Sequence, residues 1–356
     1  MKVGILGLIQ SGKSTLFSAI SGRHISAAGA GVIEEGIVTI PDERAAWLTE
    51  HYKPKKTVYA TIDCLDVPGF DFTVEHGRVI AGRLIDHIRT VDLIVMVVRA
   101  FEDISLPPYR DRIDPVKDVE ELKTELLLAD LALVTTRIER LEKQLHKPSP
   151  THNQDLAELE LQKRLQSAIE AEKPISSAVK SKEELQLIKS LGFLTLKPMV
   201  VAVNVAEGHL NDVFDFKGCL EANVPVINVC AKLELELAEL DEESRREFLA
   251  DMGIGESAAG KFVKACYAAL GQISFITIVH GEIRAWTIKA GTTALEAAGK
   301  VHSDIQRGFI KAEVFSFGDI KEYGDEKALK AAGKIRLEGK EYIVKDGDIV
   351  NFKFNV

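Results

Sequence analysis

Hydrophobic and polar positions change their rhythm three times along the chain. Up to about residue 118, apolar runs at 2–6, 58–66 and 92–100 are separated by amphipathic stretches, and two more runs follow at 197–204 and 224–229. Strand-like runs alternating with helical ones predict a parallel sheet with crossover helices. Between 119 and 196 the pattern is different. Val119, Leu122, Leu126, Ala129, Leu133, Leu141 and Leu145 recur near a seven-residue spacing, with Glu, Lys and Arg on the other faces. This predicts a long amphipathic helix. Lys147-Pro148-Ser149-Pro150 ends it, because proline lacks the amide donor and restricts the residue before it. A second helix over 155–172, with Leu156, Leu159, Leu165 and Ile169 along one side, completes a helical hairpin. From 275 onward, runs at 275–279, 285–288, 310–317, 342–344 and 349–354 are punctuated by glycine, as in Lys345-Asp346-Gly347-Asp348, and predict a small mixed domain.

The expected organisation is an α/β domain from 1–118 and 197–274, a helical coiled-coil insertion at 119–196, and a C-terminal domain at 275–356. Periodicity alone leaves open whether the hairpin is an arm that meets a partner or a pair that packs only on itself. A length of 356 residues suits two or three such domains. No run approaches the roughly 18 apolar residues of a membrane span, and Met1 leads straight into a strand with no signal peptide. The chain is therefore expected to be cytoplasmic, away from membranes, and to work as a monomer. Cys64, Cys219, Cys230 and Cys266 form no C-x-x-C pair and read as buried free thiols. A net charge of −9 gives no global attraction to nucleic acid, so any RNA contact must be a local patch. The region 275–356 is less acidic, with 13 Lys and Arg against 12 Asp and Glu, yet is no strongly basic module.

The chemistry begins at residues 7–15, GLIQSGKST, which fit G-x-x-x-x-G-K-[ST] directly after the first apolar run. Gln10, Ser11, Gly12, Lys13, Ser14 and Thr15 would cradle phosphates with backbone N–H groups. Lys13 would reach the β- and γ-phosphates, and the Ser14 hydroxyl would ligate Mg²⁺. Asp66-Val67-Pro68-Gly69 follows the second run, where a carboxylate could hold the Mg²⁺ shell and the Gly69 amide could meet the γ-phosphate. Lys13, Asp66 and Gly69 are thus the candidate catalytic residues, and Ser14 and Asp66 the candidate metal ligands. Asn204-Val205-Ala206-Glu207 ends a further strand where GTPases usually carry N-K-x-D. Val205 replaces the lysine, and Glu207 is one methylene longer than the aspartate that clamps guanine, so guanine discrimination is compromised. Ala231, in Cys230-Ala231-Lys232, offers a backbone amide to the base edge.

On these residues the chain resembles the YchF/Obg-like ATPase family. The resemblance covers nearly the whole length. It rests on the N-x-x-E motif at 204–207, on AKLELELAELD at 231–241, and on C-terminal stretches such as EIRAWT at 282–287, RGFIKA at 307–312 and EYIVKDGD at 341–348. It implies a P-loop G domain interrupted by a helical arm and followed by a ubiquitin-like β-grasp (TGS) domain. It also implies adenine preferred over guanine, association with the ribosome or ribosomal RNA, and a role in translation or stress control.

Departures from the family pattern matter as much. The family's first switch carries a threonine resembling the Mg²⁺-ligating residue of GTPases; here 28–36 is shorter, with Val32 near that place. The segment 70–77 lacks the glycine- and lysine-rich second switch, and 101–109 lacks the histidine that family members place after the preceding strand. His76 and His87 are the nearest imidazoles that could substitute. Phosphoryl transfer depends on positioning and charge stabilisation, so these losses should depress turnover more than binding. The expected function is a Mg²⁺- and ATP-binding switch with slow hydrolysis of the triphosphate anhydride. The alternatives are GTP as ligand, and a non-hydrolysing, ribosome-associated adaptor.

Overall fold

In the computed structural model, which describes residues 1–23, 31–148, 150–279 and 281–355 (the side chains of 242, 243 and 246 aside), the chain divides into two units. One contains Met1–Gly36 and Asp63–Phe262, the other Ile37–Ile62 and Val263–Val356.

The strands in chain order are β1 (Lys2–Gly7), β2 (Glu34–Thr39), β3 (Lys56–Val58), β4 (Thr61–Asp66), β5 (Leu93–Ala100), β6 (Met199–Val205) and β7 (Val226–Val229). They are followed by β8 (Gln272–Val279), β9 (Glu282–Lys289), β10 (Phe309–Ser316), β11 (Arg336–Glu338) and β12 (Asp348–Phe354). A six-stranded sheet has the order β2-β4-β1-β5-β6-β7, and β4, β1, β5, β6 and β7 pair in parallel. β5 reads LIVMVVRA with every residue but the last buried, the near-continuous apolar run of a strand covered on both faces.

Helix α1 (Lys13–Ser21) leaves the β1 turn, α2 (Glu43–Tyr52) lies between β2 and β3, and α3 (Glu75–His87) precedes β5. Helices α4 (Pro115–Leu145) and α5 (His152–Glu170) form the expected hairpin. Pro115 stands in the first turn of α4 and the Asp114 carboxylate accepts from Lys117 N, a capped start that lets 31 residues run as one helix. Its two halves serve different cores. Val119, Leu122 and Leu126 pack with Leu6, Ile94, Met96 and Val203 of the sheet, whereas Val134 and Ile138 pack with Leu161, Leu165 and Ile169 of α5. Leu156, expected on the packed side of α5, is 41% exposed, and Leu161 takes the buried position. Ser149 of the break between the helices lies outside the described residues.

The second unit holds a mixed sheet of order β11-β10-β12-β8-β9-β3, with β12 parallel to β8 and the β8–β9 hairpin antiparallel. The helix Ala294–Val301 packs Ala294, Ala297 and Ala298 against Phe275, Val314 and Val350, a β-grasp in form. Its sixth strand was not anticipated. The run 58–66 is not one strand: Lys56–Val58 pairs in parallel with β9, and Thr61–Asp66 belongs to the other sheet. Residues 37–62, read from sequence as part of the first domain, fold with the C-terminal one. Ala45 and Leu48 of α2 are fully buried among Ile276, Ile283, Phe315 and Ile349. Arg44 bridges Asp42 and Asp346 at 2.8 Å each.

Candidate functional site

The site grows from the carboxyl edge of the parallel sheet, where β1, β4, β5 and β6 end and their loops converge. Val3, Ile5 and Leu6 are fully buried and fix β1, so the turn that follows is held from beneath. In that turn Gln10 has φ 61° and Gly12 φ 79°, left-handed conformations that turn successive N–H groups inward. A Cβ on Gly12 would sit 2.1 Å from Asn204 Nδ2, so only glycine fits. No side chain caps the start of α1 and its first turn has no acidic residue, which leaves the helix N-terminus free for an anion.

Lys13 Nζ donates to Asp66 Oδ1 at 2.7 Å and lies 3.2 Å from Ser14 Oγ, with Lys13 and Asp66 both buried. Asp66 is the last residue of β4, beside Ile5 of β1 in register. The loop after it is laced to the phosphate turn: Phe70 N donates to Gly7 O and Ile9 N to Phe70 O, each at 3.0 Å. This brings Gly69 to the turn, where a Cβ would stand 3.0 Å from Ile9 Cα. On the other flank Asn204 donates Nδ2 to Ser11 O at 3.0 Å and accepts from Ala231 N at 3.0 Å, joining three loops through one buried amide.

These loops line a half-open cavity of ≈ 1220 Å³. Of the residues singled out from sequence, Gln10, Ser11, Gly12, Lys13, Ser14, Thr15, Gly69, Asn204, Val205, Glu207 and Ala231 line it. Asp66 reaches it through Lys13. Glu207 is exposed and opens a short 3-10 turn, Glu207–His209, while Ala231 begins α7 (Ala231–Ala238). Cys230 also lines the cavity, with burial pushing its thiol up from the ordinary range. All four cysteines are buried and stand outside any disulfide.

His76 and His87 lie at the two ends of α3, exposed, and neither borders the cavity. Val32 is 65% exposed, and residues 28–30 of the shortened switch lie outside the described residues. Sequence reasoning assigned no site role to Phe101, Glu102, Asp103, Ile104, Ser105 and Leu106, yet all six form a wall of the cavity. The available signal was topological: Arg99 and Asn204 are register partners, so the loop after β5 must lie beside the one after β6.

Residues 272–355 match the YchF-GTPase_C family model, described as a protein of unknown function, and residues 2–137 match one described as 50S ribosome-binding GTPase. The chain is 39% identical over 370 residues to the ribosome-binding ATPase YchF of Bacillus subtilis (strain 168), with 100% of both covered. The chain belongs to the YchF family. Obg-like ATPase 1 of Oryza sativa subsp. japonica is 36% identical, over 100% of this chain and 92% of its own. The solved structure of the Schizosaccharomyces pombe YchF GTPase superposes with a TM-score of 0.81 at 31% identity, covering 99% of this chain and 97% of that one. YchF membership thus spans both units. Among the described residues no helix is long and apolar enough to cross a membrane.

Proposed function

We propose that this YchF-family chain binds ATP with Mg²⁺ in the cavity bounded by the phosphate turn, hydrolyses it slowly, and uses the bound state to regulate association with the ribosome. The observation that carries the reading is the joining of Lys13, Asp66 and Asn204 around one cavity: a cation for the phosphates, a carboxylate at the strand end, and an amide that fixes the far wall. The Ser14 hydroxyl and the Asp66 carboxylate are hard oxygen donors near Lys13, a set that suits Mg²⁺. They would hold the ion, which supplies charge neutralisation to the triphosphate. Lys13 then neutralises charge between the outer phosphates, and the amide of Gly69 serves the terminal one.

Adenine is favoured because Val205 and Glu207 stand at the cavity where a lysine and an aspartate would define a guanine clamp. Slow turnover follows from the loop 101–109, which carries no imidazole, and from the absence of a histidine among the described residues that line the cavity. Ribosome association is supported by the relatives named ribosome-binding ATPase and by the helical hairpin, in a cytoplasmic, monomeric protein. The missing imidazole also supports a second reading, a nucleotide-holding adaptor that does not hydrolyse.

Competition of unlabelled ATP and GTP for a fluorescent nucleotide tests the base. A GTP advantage above about tenfold, roughly 1.4 kcal/mol, would overturn the adenine assignment. Phosphate release under single-turnover conditions, with and without ribosomes, separates the ATPase from the adaptor; no release in either setting favours the adaptor.

A further inference from the structure

Arg99 is the penultimate residue of β5 and only 4% exposed, a position where a guanidinium ordinarily meets a carboxylate. Among the described residues none of its hydrogen bonds goes to one. Nε donates to Phe101 O and Nη2 to Leu106 O, both at 3.0 Å, and the guanidinium carbon lies 4.5 Å over the Phe101 ring. Nη1 is buried without a hydrogen-bond partner among the described residues. The two carbonyls mark the first and last residues of the cavity wall formed by Phe101, Glu102, Asp103, Ile104, Ser105 and Leu106. Between them the loop is exposed, with Ile104 fully so, and closes a turn of its own: Asp103 Oδ1 accepts from Ser105 N at 2.8 Å and Leu106 N donates to Asp103 O at 3.1 Å. The wall is thus a preformed turn whose ends are fastened to β5 by one side chain.

We infer that Arg99 is a positioning residue for nucleotide, a clamp that holds the 101–106 wall in register with the phosphate turn. The wall reaches that turn at Phe101, whose Cε1 is 3.7 Å from the Cβ position of Gly12. Desolvating a cation and leaving Nη1 unpaired is costly, and the geometry offsets this by using the planar fork on two carbonyls and its face on a ring. A lysine has one ammonium on a flexible stem and cannot serve all three contacts. The inference rests on the nucleotide reading for its effect on binding, but not for its effect on the loop.

The test uses the full chain with R99K, which keeps the charge, and R99M, which keeps the bulk. Hydrogen exchange of the nucleotide-free protein should show the amides of 101–106 exchanging at least about tenfold faster in R99K, with the β5 amides unchanged. The Kd for a fluorescent ATP analogue should rise about tenfold in both variants, with kcat at saturation within about twofold of the parent. Unchanged loop exchange and unchanged Kd in R99K would overturn the clamp. So would a fall in kcat at unchanged Kd, which would place Arg99 in the chemistry. Should the parent bind no nucleotide, the functional reading fails, and loop exchange still decides the clamp.

Discussion

Lys13 Nζ stands 2.7 Å from Asp66 Oδ1, with side chains only 4% and 8% exposed. The pair spans the phosphate turn and the end of β4 and keeps each buried charge compensated. Removing one partner of such a pair costs about 3–5 kcal/mol because the other is left buried and alone. K13A should therefore abolish triphosphate binding and also lower the stability of the nucleotide-free protein. K13A/D66N, which removes both charges, should regain most of that stability while still failing to bind. Thermal unfolding and titration calorimetry check this. A K13A protein with parental Tm, or with measurable heat on adding ATP, contradicts the roles given to the pair.

The amide of Asn204 couples Ser11 to Ala231, and replacements separate its two functions. Asn204→Asp keeps an acceptor for Ala231 N but cannot donate to Ser11 O; Asn204→Ala loses both. An unsatisfied buried partner costs about 1–3 kcal/mol, so nucleotide affinity should fall by at least about fivefold in N204A. G12A should be at least as damaging, since φ 79° and the 2.1 Å approach to Asn204 Nδ2 both exclude a methyl group. Equilibrium binding of a fluorescent nucleotide decides, and parental affinity in either variant would show that the tether does not shape the cavity.

The same residues show what a chain reveals before it is folded. The phosphate turn was legible because its chemistry is contiguous, and β1, β5 and β6 because buried parallel strands read as unbroken apolar runs. Asn204 was legible as a site residue, but its bonds to Ser11 and Ala231 join positions far apart in sequence. Segment 37–62 escaped for a related reason. Ala45 and Leu48 give α2 an apolar face, yet nothing local states that the face belongs to the C-terminal core. The break between β3 and β4 fell inside one apolar run, where periodicity cannot say that two halves join different sheets. The wall at 101–106 mixes Phe101, Ile104 and Leu106 with Glu102, Asp103 and Ser105 without a period and is exposed over 102–106, the usual appearance of a loop with no role.

Gln162 of α5 offers a stability test away from the cavity. It is fully buried in the hairpin, and neither amide atom has a hydrogen-bond partner among the described residues. A buried unsatisfied polar group costs about 1–3 kcal/mol, so Q162L should stabilise the protein by about 1–2 kcal/mol if the leucine fits the same space. Denaturant unfolding monitored by helical circular dichroism measures the shift. Destabilisation of similar size in Q162L would mean that the amide is satisfied in solution, for example by water.

Asp118, in the first turn of α4, gives the stability a pH dependence of defined sign. Burial, aided by the nearby carboxylates of Asp114 and Glu121, outweighs the Arg112 guanidinium 2.6 Å away and pushes its pKa from 3.8 up to about 6. The folded protein therefore binds this proton more tightly than the unfolded chain does. The resulting stabilisation is complete below about pH 3.8 and is lost as pH rises through about 6, a swing of up to about 3 kcal/mol. D118N carries no titrating group, so the stability of the parent relative to D118N should decline between pH 4 and pH 7. Paired unfolding curves across that window provide the measurement. A difference that stays flat, or that grows with pH, would mean that Arg112 rather than burial controls the carboxylate.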